Sequence, residues 1–294
     1  MDFTKMHGLG NNYCLFNQLD DPQNVLDEQE YPELSRKVSD INFGIGSDGI
    51  ILICPSQMAD YKMRIFNEDG SEAKNCGNGL RCVAKYLFDH KYTVKPCFTI
   101  ETLGGIVSVA IEAGLDEQQS VQHINVDMGR PKLLKGMIPM GGDPNTTAIN
   151  EPHIFSENEY HLTCVSIGNP HAIIFVDDVY SFPLEKIGPV IEYASLFPER
   201  VNVGIVQIKG RQEFDYRVWE RGSGITMACG TGACAAVVAA TLNGLLDQYV
   251  PIPVHLPGGD LTIRWDEQGH VWKRGEAAYI CHGKIHGLNN RTLT

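Results

Sequence analysis

Three kinds of segment are missing from this sequence of 294 residues. No run of Lys or Arg stands out and the formal net charge is −12, so nucleic acid and anionic membranes are disfavoured as partners. The longest apolar stretch, residues 233–246, is interrupted by Thr241, Asn243 and Gly244 and is shorter than the ~20 residues that span a membrane. The chain opens without a basic segment followed by an apolar one, so we expect a folded, cytoplasmic protein.

Low-complexity segments and linkers rich in Pro or Ser are absent as well. The composition, 43% hydrophobic and 20% charged, is that of a globular protein rather than a disordered one. The length is roughly twice that of a typical domain of about 150 residues. We therefore expect two domains or one large domain.

Motifs for metals and common cofactors are also missing. The nine cysteines are an odd number without a secretory context, which favours reduced thiols. The spacings Cys76-x5-Cys82 and Cys229-x4-Cys234 differ from the Cys-x2-Cys of structural zinc sites. HGLGNN lacks the third glycine of a dinucleotide loop, and no Schiff-base Lys or phosphate cup is evident. The sequence therefore predicts neither a metal nor a cofactor.

The sequence does contain an internal repeat. YKMRIFNEDGSEAKNCGNG, residues 61–79, matches FDYRVWERGSGITMACGTG, residues 214–232, and places Cys76 over Cys229. Gly-Gly turns between alternating strands follow at 104–105 and 258–259. Upstream, LGNNYCLF near Asn11 resembles IGNPHAIIF near Asn169. These matches predict two homologous halves of α+β character, related by a pseudo-twofold axis.

Each half has the same predicted order of elements. A strand, at 62–66 and again at 213–219, leads through a Gly-rich loop to a helix and then to the hairpin. The first helix is predicted from Gly77 to His90 and the second from about Gly230 to Leu246. The second helix is apolar all round, which is typical of a buried helix.

A cysteine directly before a helix is suited to acid/base chemistry. The unpaired N–H groups and the dipole of the helix stabilise a thiolate and lower the pKa from about 8.5. With one such thiol on each side of an α-carbon, one thiolate removes the α-proton while the opposite thiol returns a proton. A lone cysteine is more often a small core residue, but two at matched positions favour racemisation. A carboxylate would bind to the first N–H groups of both helices. These groups belong to Gly77, Asn78, Gly230 and Thr231.

Five segments resemble the diaminopimelate epimerase family: MHGLGNNY, FNEDGSEAKNCGNGLRC, GNPH, FPERVNVG and WERGSGITMACGTGACAA. The resemblance implies a cofactor-independent isomerase that interconverts LL- and meso-2,6-diaminopimelate in lysine and peptidoglycan precursor synthesis. It implies two similar α+β domains, each a curved, mostly antiparallel sheet around a buried central helix. Their expected bounds are 1–128 with about 276–294, carrying Cys76, and 129–275, carrying Cys229, with the active site in the cleft between them.

The resemblance also implies roles for single residues. Cys76 and Cys229 would be the acid/base pair, and His171 and Glu220 would modulate their pKa values. Arg221 is suited to a bidentate salt bridge with the distal carboxylate. The positions that match substrate contacts are Asn11, Asn67, Gly77, Asn78, Asn169, Asn202, Glu220, Arg221, Gly230 and Thr231. Without the resemblance, the asparagines would be read as turn residues, His171 as a core histidine and Glu220–Arg221 as an exposed ion pair.

Five positions depart from the family pattern. The opening motif often reads Gly-Asn-Asp-Phe, where this chain has Asn12-Tyr13 after Asn11. A substrate-contacting Gln is replaced by Gly49, and a Glu before the second cysteine loop by Ile225. The resemblance implies a homodimer, although a tyrosine linked to dimer contacts in some members is Cys281 here.

Two other functions remain open at the level of sequence. A racemase of proline, hydroxyproline or histidine would use the same fold, but a one-ended substrate would leave a buried Arg221 unpaired. A thiol-dependent or metal-binding protein without enzymatic activity would bind zinc stoichiometrically and show no α-proton exchange.

Overall fold

The computed structural model describes residues 1–20, 25–74, 76–113 and 121–286. The chain divides into two compact units: unit 1, with bounds Met1–Val126 and Gly275–Thr294, and unit 2, Asp127–Arg274. The domain bounds expected from the sequence, and the cleft between the domains, stay predictions. Residues 287–294 of the expected C-terminal segment lie outside the described residues.

Unit 1 combines a mixed sheet with two helices. Its strands follow the order β17-β1-β2-β3-β4-β5-β6-β7, in which β2–β3 and β4–β5 are parallel and the other pairs antiparallel. The elements are β1 (Asp2–Gly8), β2 (Asn11–Asn17), α1 (Tyr31–Ser39), β3 (Gly49–Cys54), β4 (Tyr61–Asn67), α2 (Gly77–Asp89), β5 (Cys97–Thr102), β6 (Gly105–Ala113), β7 (Val121–Asp127) and β17 (Ala278–Lys284).

Unit 2 repeats this arrangement. Its strands follow the order β8-β9-β10-β11-β12-β14-β15-β16, with β10–β11 and β12–β14 parallel, and β13 pairs with β12. The elements are β8 (Glu151–Phe155), β9 (Asn158–Ser166), β10 (Pro170–Phe175), α3 (Leu184–Glu192), β11 (Asn202–Gly210), β12 (Glu213–Glu220), β13 (Gly224–Ile225), α4 (Gly230–Leu242), β14 (Ile252–Leu256), β15 (Gly259–Trp265) and β16 (Val271–Gly275), with a 3-10 turn at Lys135–Met137. The predicted α+β class, with a homologous, mostly antiparallel sheet in each half, is confirmed.

The second helix of each unit is enclosed by strands of its own sheet. α2 packs on β1, β2, β4 and β6, and α4 packs on β9, β10, β11, β12 and β15. Every residue of α4 from Gly232 to Thr241 is buried, because a surface of Ala, Gly and Val lets strands approach from all sides. This burial confirms the prediction made from its all-round apolarity. No helix in the described part of the chain is long and apolar enough to cross a membrane.

The predicted ends of these helices are accurate at their N-termini and less so at the end of α4. α4 stops at Leu242 rather than Leu246. The N–H groups of Asn243 and Gly244 bond back to the carbonyls of Ala239 and Thr241, and Gly244 takes a left-handed conformation, with φ +70°. The Asn-Gly pair therefore ends the helix before the last leucines.

Two short helices were not predicted. α1 lies between β2 and β3, and α3 lies between β10 and β11. Each helix lies in the crossover connection that joins two parallel strands. α1 packs on β3 and β4, and α3 on β11 and β12.

Candidate active site

The first of the two thiols, Cys76, lies at the N-terminus of α2. It is the N-cap residue, with φ −147° and ψ 108°, and its Sγ accepts a hydrogen bond from the Gly79 N–H at 3.4 Å. The thiol is half-buried. The first N–H groups of the helix, those of Gly77 and Asn78, have no partner within the helix. A sulfur and two backbone donors therefore share one helix end, as the sequence predicted.

A second contact to this sulfur was not anticipated. The Oη atom of Tyr13, on β2, lies 3.2 Å from Cys76 Sγ. Tyr13 is buried, and burial, followed by the charge of the nearby Cys76 thiolate, raises the pKa of Tyr13 well above its usual range. The phenol therefore keeps its proton and can donate it to the sulfur. In the sequence Tyr13 is recognisable only as a core residue of an apolar strand.

Asn11 and Asn78, two of the predicted substrate contacts, are hydrogen-bonded to each other. The Nδ2 atom of Asn78 donates to Asn11 Oδ1 at 2.7 Å. Asp48 accepts a hydrogen bond from the backbone N–H of Asn12 at 2.7 Å and so fixes the start of β2. The Oδ1 atom of Asn78 is buried without a partner among the described residues.

Asn67 ends β4 at the start of a turn. Its Nδ2 atom donates to Ser71 Oγ at 2.9 Å, and its backbone N–H donates to the Ser71 carbonyl. Among the described contacts, the side chain thus has the turn-forming role expected of an asparagine in such a loop. Its predicted contact with substrate stays a prediction.

The second thiol, Cys229, is more deeply buried than Cys76. It is the N-cap of α4, with φ −122° and ψ 103°, and it is 4% exposed. Its sulfur lies 3.6 Å from Thr231 Oγ1. Burial, followed by the charge of Glu220, raises the pKa of Cys229 above its usual value. The expectation that the helix end lowers this pKa is wrong here, because desolvation outweighs the hydrogen bonds from Thr231 and the Gly232 N–H that lower it.

His171 connects to this thiol through Thr231. It lies on β10 and is fully buried, and its Nε2 atom is 3.1 Å from both Asn169 Oδ1 and Thr231 Oγ1. Burial, and then the charge of Arg221, lowers the pKa of His171 from 6.5 to about 3. Its Nδ1 atom has no partner among the described residues. The imidazole is therefore neutral near pH 7 and orients the Thr231 hydroxyl.

A pH dependence of stability follows from the lowered pKa of His171. Between pH 6.5 and about 3, the unfolded chain binds a proton at His171 that the folded chain does not. Stability from this group is therefore complete above pH 6.5 and is lost as pH falls. The free energy of unfolding should decrease by about 2 kcal/mol between about pH 7 and about pH 5.

His171→Gln should flatten this dependence, which urea denaturation at the two pH values would measure. His255→Gln is the matched control. The carboxylate of Asp260 raises the pKa of the His255 imidazole, so that group stabilises the fold at low pH and loses its effect as pH rises. An unchanged slope in His171→Gln would contradict a neutral, buried His171.

Glu220 is close to Cys229, as predicted. Burial raises the pKa of Glu220, while hydrogen bonds from Thr226 and from the Cys229 thiol lower it. The Thr226 hydroxyl donates to Glu220 Oε1, a contact that the sequence did not indicate. Glu220 therefore lies beside the Cys229 sulfur and favours the protonated thiol.

Arg221 is held differently from the expectation. The sequence argument assumed a buried Arg221, but the residue is exposed. Its Nη1 atom donates to the Glu199 carbonyl at 2.8 Å, and its backbone N–H donates to Asn202 Oδ1 at 2.9 Å. No ion pair joins Glu220 to Arg221 in the part of the chain that the structure describes. Asn202 itself is buried and donates to the Pro170 carbonyl at 2.8 Å.

The N-terminus of α4 has two further neighbours that the sequence did not reveal. A Cβ atom on Gly230 would lie 2.6 Å from the Nζ atom of the buried Lys273. A Cβ atom on Gly232 would overlap the Oη atom of Tyr216. Both glycines are required for these side chains to pack against the helix end. Only the three-dimensional fold brings β12 and β16 to this place.

Comparison with known proteins identifies the family. The family model for diaminopimelate epimerase matches residues 3–134 and 163–280. The diaminopimelate epimerase of Bacillus cereus strain AH187 is 53% identical over 281 residues, which are 96% of each chain. The chain belongs to the diaminopimelate epimerase family. The diaminopimelate epimerase of Bacillus anthracis strain A0248 is 52% identical over 281 residues, which are again 96% of each chain. These matches confirm the resemblance and the predicted enzyme class, an isomerase.

Solved structures with low sequence identity share the fold. A hydroxyproline epimerase from Agrobacterium vitis superposes with a TM-score of 0.68 at 13% identity, covering 96% of this chain and 91% of its own. A PhzF-family phenazine biosynthesis protein from Bacillus anthracis has a TM-score of 0.68 at 17% identity, covering 97% and 98%. At these identities the likeness concerns the fold alone. Because one fold can carry several activities, this likeness does not by itself assign an activity.

Proposed function

We propose that the protein epimerises LL-2,6-diaminopimelate to the meso isomer, with Cys76 and Cys229 as the acid/base pair. The observation that carries this proposal is a thiol at the N-cap of the enclosed helix in each unit, in a member of the diaminopimelate epimerase family. One thiolate removes the α-proton, and the other thiol delivers a proton to the opposite face. The configuration inverts without a cofactor.

The substrate carboxylate next to the reacting carbon would bind at the helix ends. The N–H groups of Gly77 and Asn78 in α2, and of Gly230 and Thr231 in α4, are donors of the kind that stabilise an anion. Negative charge grows on this carboxylate as the α-proton leaves, so the same donors stabilise the transition state. This arrangement requires the active site to lie in a cleft between the two domains, which is part of the proposal.

The raised pKa of Cys229 assigns its resting form. A buried thiol beside a carboxylate keeps its proton, so Cys229 begins as the acid for one isomer, and we assign the role of base for that isomer to Cys76. In that step Cys229 gives its proton to the α-carbon and becomes the thiolate that the reverse reaction uses as its base, while Glu220, hydrogen-bonded to the thiol, influences its pKa. His171, through Thr231, orients the local hydrogen bonds.

The remaining predicted residues are proposed as substrate contacts. Asn11, Asn67, Asn169 and Asn202 would contact the amino and carboxylate groups of the substrate. The exposed guanidinium of Arg221 would bind the distal carboxylate, which explains a preference for a two-ended substrate. The predicted cytoplasmic location and homodimer stay predictions.

Incubation of the reduced, metal-free protein with LL-diaminopimelate in D2O tests the reaction. We expect deuterium to be incorporated at the α-carbon and the meso isomer to form. Mass spectrometry or NMR would detect the deuterium. Deuterium exchange with proline or hydroxyproline alone would assign a different substrate to the same chemistry. Absence of exchange with every amino acid would contradict the proposal.

Oxidation tests whether the two thiols face each other. If both sulfurs flank one carbon in the closed enzyme, an added thiol oxidant such as diamide should oxidise them to a disulfide between Cys76 and Cys229. Activity should be lost with formation of this disulfide and should return on reduction. Peptide mapping identifies the bond, and a disulfide between other cysteines would contradict the facing arrangement.

A further inference from the structure

Tyr13 makes a contact with Cys76 that the family resemblance did not assign. Among the described residues, two hydrogen-bonding groups approach the Cys76 sulfur: the Gly79 N–H at 3.4 Å and the Tyr13 hydroxyl at 3.2 Å. The hydroxyl comes from a strand and the N–H from the helix, so the sulfur is held by two separate elements. Tyr13 is 6% exposed, and its ring cannot turn away without leaving the core.

The internal repeat supports a functional role for this hydroxyl. β2 and β10 occupy the same place in their units, each antiparallel to the preceding strand and parallel to the following crossover strand. When Asn11 is aligned with Asn169, Tyr13 falls on His171. His171 reaches Cys229 through Thr231, whereas Tyr13 reaches Cys76 directly. Each half therefore directs a polar side chain from the same strand position towards its own thiol.

We propose that Tyr13 is a positioning residue for Cys76: its hydroxyl donates a hydrogen bond to the sulfur, fixes the side-chain rotamer and stabilises the thiolate. The catalytic consequence rests on the proposed function, but the contact with the sulfur does not. A thiolate gains more from a hydrogen-bond donor than a neutral thiol does.

Other charged or titratable groups also act on this position. Asp48 accepts from the N–H of Asn12 beside Tyr13, and Cys82 lies buried in α2. Arg81, also in α2, donates to the Gly77 and Glu276 carbonyls. Tyr13→Phe leaves all three groups in place. A change in the reactivity of the sulfur therefore reports the loss of the hydroxyl.

The pH dependence of alkylation tests the contact without using catalysis. The rate of iodoacetamide modification of Cys76 is measured by peptide mass spectrometry against pH, with the exposed Cys97 as an internal reference. In Tyr13→Phe we expect the pH midpoint for Cys76 to rise by about one unit and that for Cys97 to stay unchanged. Epimerisation at neutral pH should slow about tenfold in kcat with little change in KM.

Tyr31→Phe is the matched control. Tyr31 is buried, and its Oη atom accepts hydrogen bonds from Gln18 and from the Leu26 N–H, so Tyr31→Phe removes buried hydrogen bonds that do not involve the Cys76 sulfur. It should leave the Cys76 midpoint unchanged. An equal midpoint in Tyr13→Phe and the unaltered protein, or the same shift in Tyr31→Phe, would overturn the inference. A shifted midpoint in a protein without epimerase activity would overturn the proposed function and leave the contact standing.

If Tyr13→Phe does not fold, incorporation of a ring-fluorinated tyrosine gives a second test. Fluorine makes the hydroxyl more acidic and so a stronger donor, while its position is kept. The Cys76 midpoint should then move to lower pH. No movement in a folded, fluorinated protein would also contradict the inference.

Discussion

Cys76→Ser and Cys229→Ser should each reduce the rate of epimerisation about a thousandfold or more. A hydroxyl is a much weaker acid than a thiol, so serine cannot form the anion that removes the α-proton near neutral pH. General acid/base groups contribute about 10²- to 10⁴-fold to a rate. Because every turnover uses one cysteine as base and the other as acid, either replacement should impair both directions. The rates starting from the LL and the meso isomer measure this.

Two other cysteines provide controls for this result. Cys82 lies within α2, six residues beyond the cap Cys76, and is buried, while Cys97 is exposed on β5. Cys82→Ala should lower stability by the loss of a small buried side chain and leave most activity intact. Cys97→Ser should change neither. Full activity in Cys76→Ser or in Cys229→Ser would show that the two-thiol assignment is wrong.

The repeat made much of the fold predictable. Hairpins at the two Gly-Gly turns appear as β5–β6 and β14–β15, and both enclosed helices begin at the glycine that follows a cysteine. These features depend on local patterns of glycine, alternation and apolarity. α1 and α3 were missed because each has only nine residues, and α3 contains Pro189. Such short helices are stabilised by packing on the sheet more than by their own sequence.

The site was predictable at its helix ends and less so around them. Residues at matched positions of the repeat, such as Cys76 and Cys229, are visible in the sequence. Tyr13 and Thr226 are not. The contact of Tyr13 joins segments that only the fold brings together, and that of Thr226 depends on the short β12–β13 hairpin. The pKa of Cys229 could not be inferred from the helix end alone, since burial decides its direction.

The two thiols share a motif but differ in their surroundings. Cys76 is half-buried and contacts a phenol that keeps its proton. Cys229 is buried beside Glu220, with the neutral His171 behind Thr231. A hydrogen-bond donor favours a thiolate, while burial beside a carboxylate favours a thiol. In the proposed mechanism, Cys229 therefore starts a turnover as the acid.

Gly232→Ala should destabilise the protein, although alanine is the better helix former. At an exposed site inside a helix, replacing glycine by alanine would stabilise the helix by about 1 kcal/mol. Here the new Cβ atom would overlap Tyr216 Oη and lie 3.0 Å from Tyr216 Cζ and 3.2 Å from Cys229 Sγ. Tyr216 is fully buried and cannot move aside. We expect the free energy of unfolding in urea to fall by about 1–3 kcal/mol, and activity to be lost because the sulfur is displaced.

Gly79→Ala is the matched control, because Gly79 holds the same place in the other half of the repeat. Its Cβ atom would meet only the end of the Ile51 side chain, at 2.8 Å, and would lie 3.7 Å from Cys76 Sγ. A flexible Cδ1 atom can move, so the loss of stability should be smaller. In Gly232→Ala, a second change of Tyr216→Phe removes the overlapping oxygen, which has no hydrogen-bond partner among the described residues, and should restore part of the stability. Equal losses in Gly79→Ala and Gly232→Ala, or no recovery in the double variant, would show that the clash with Tyr216 does not determine the effect.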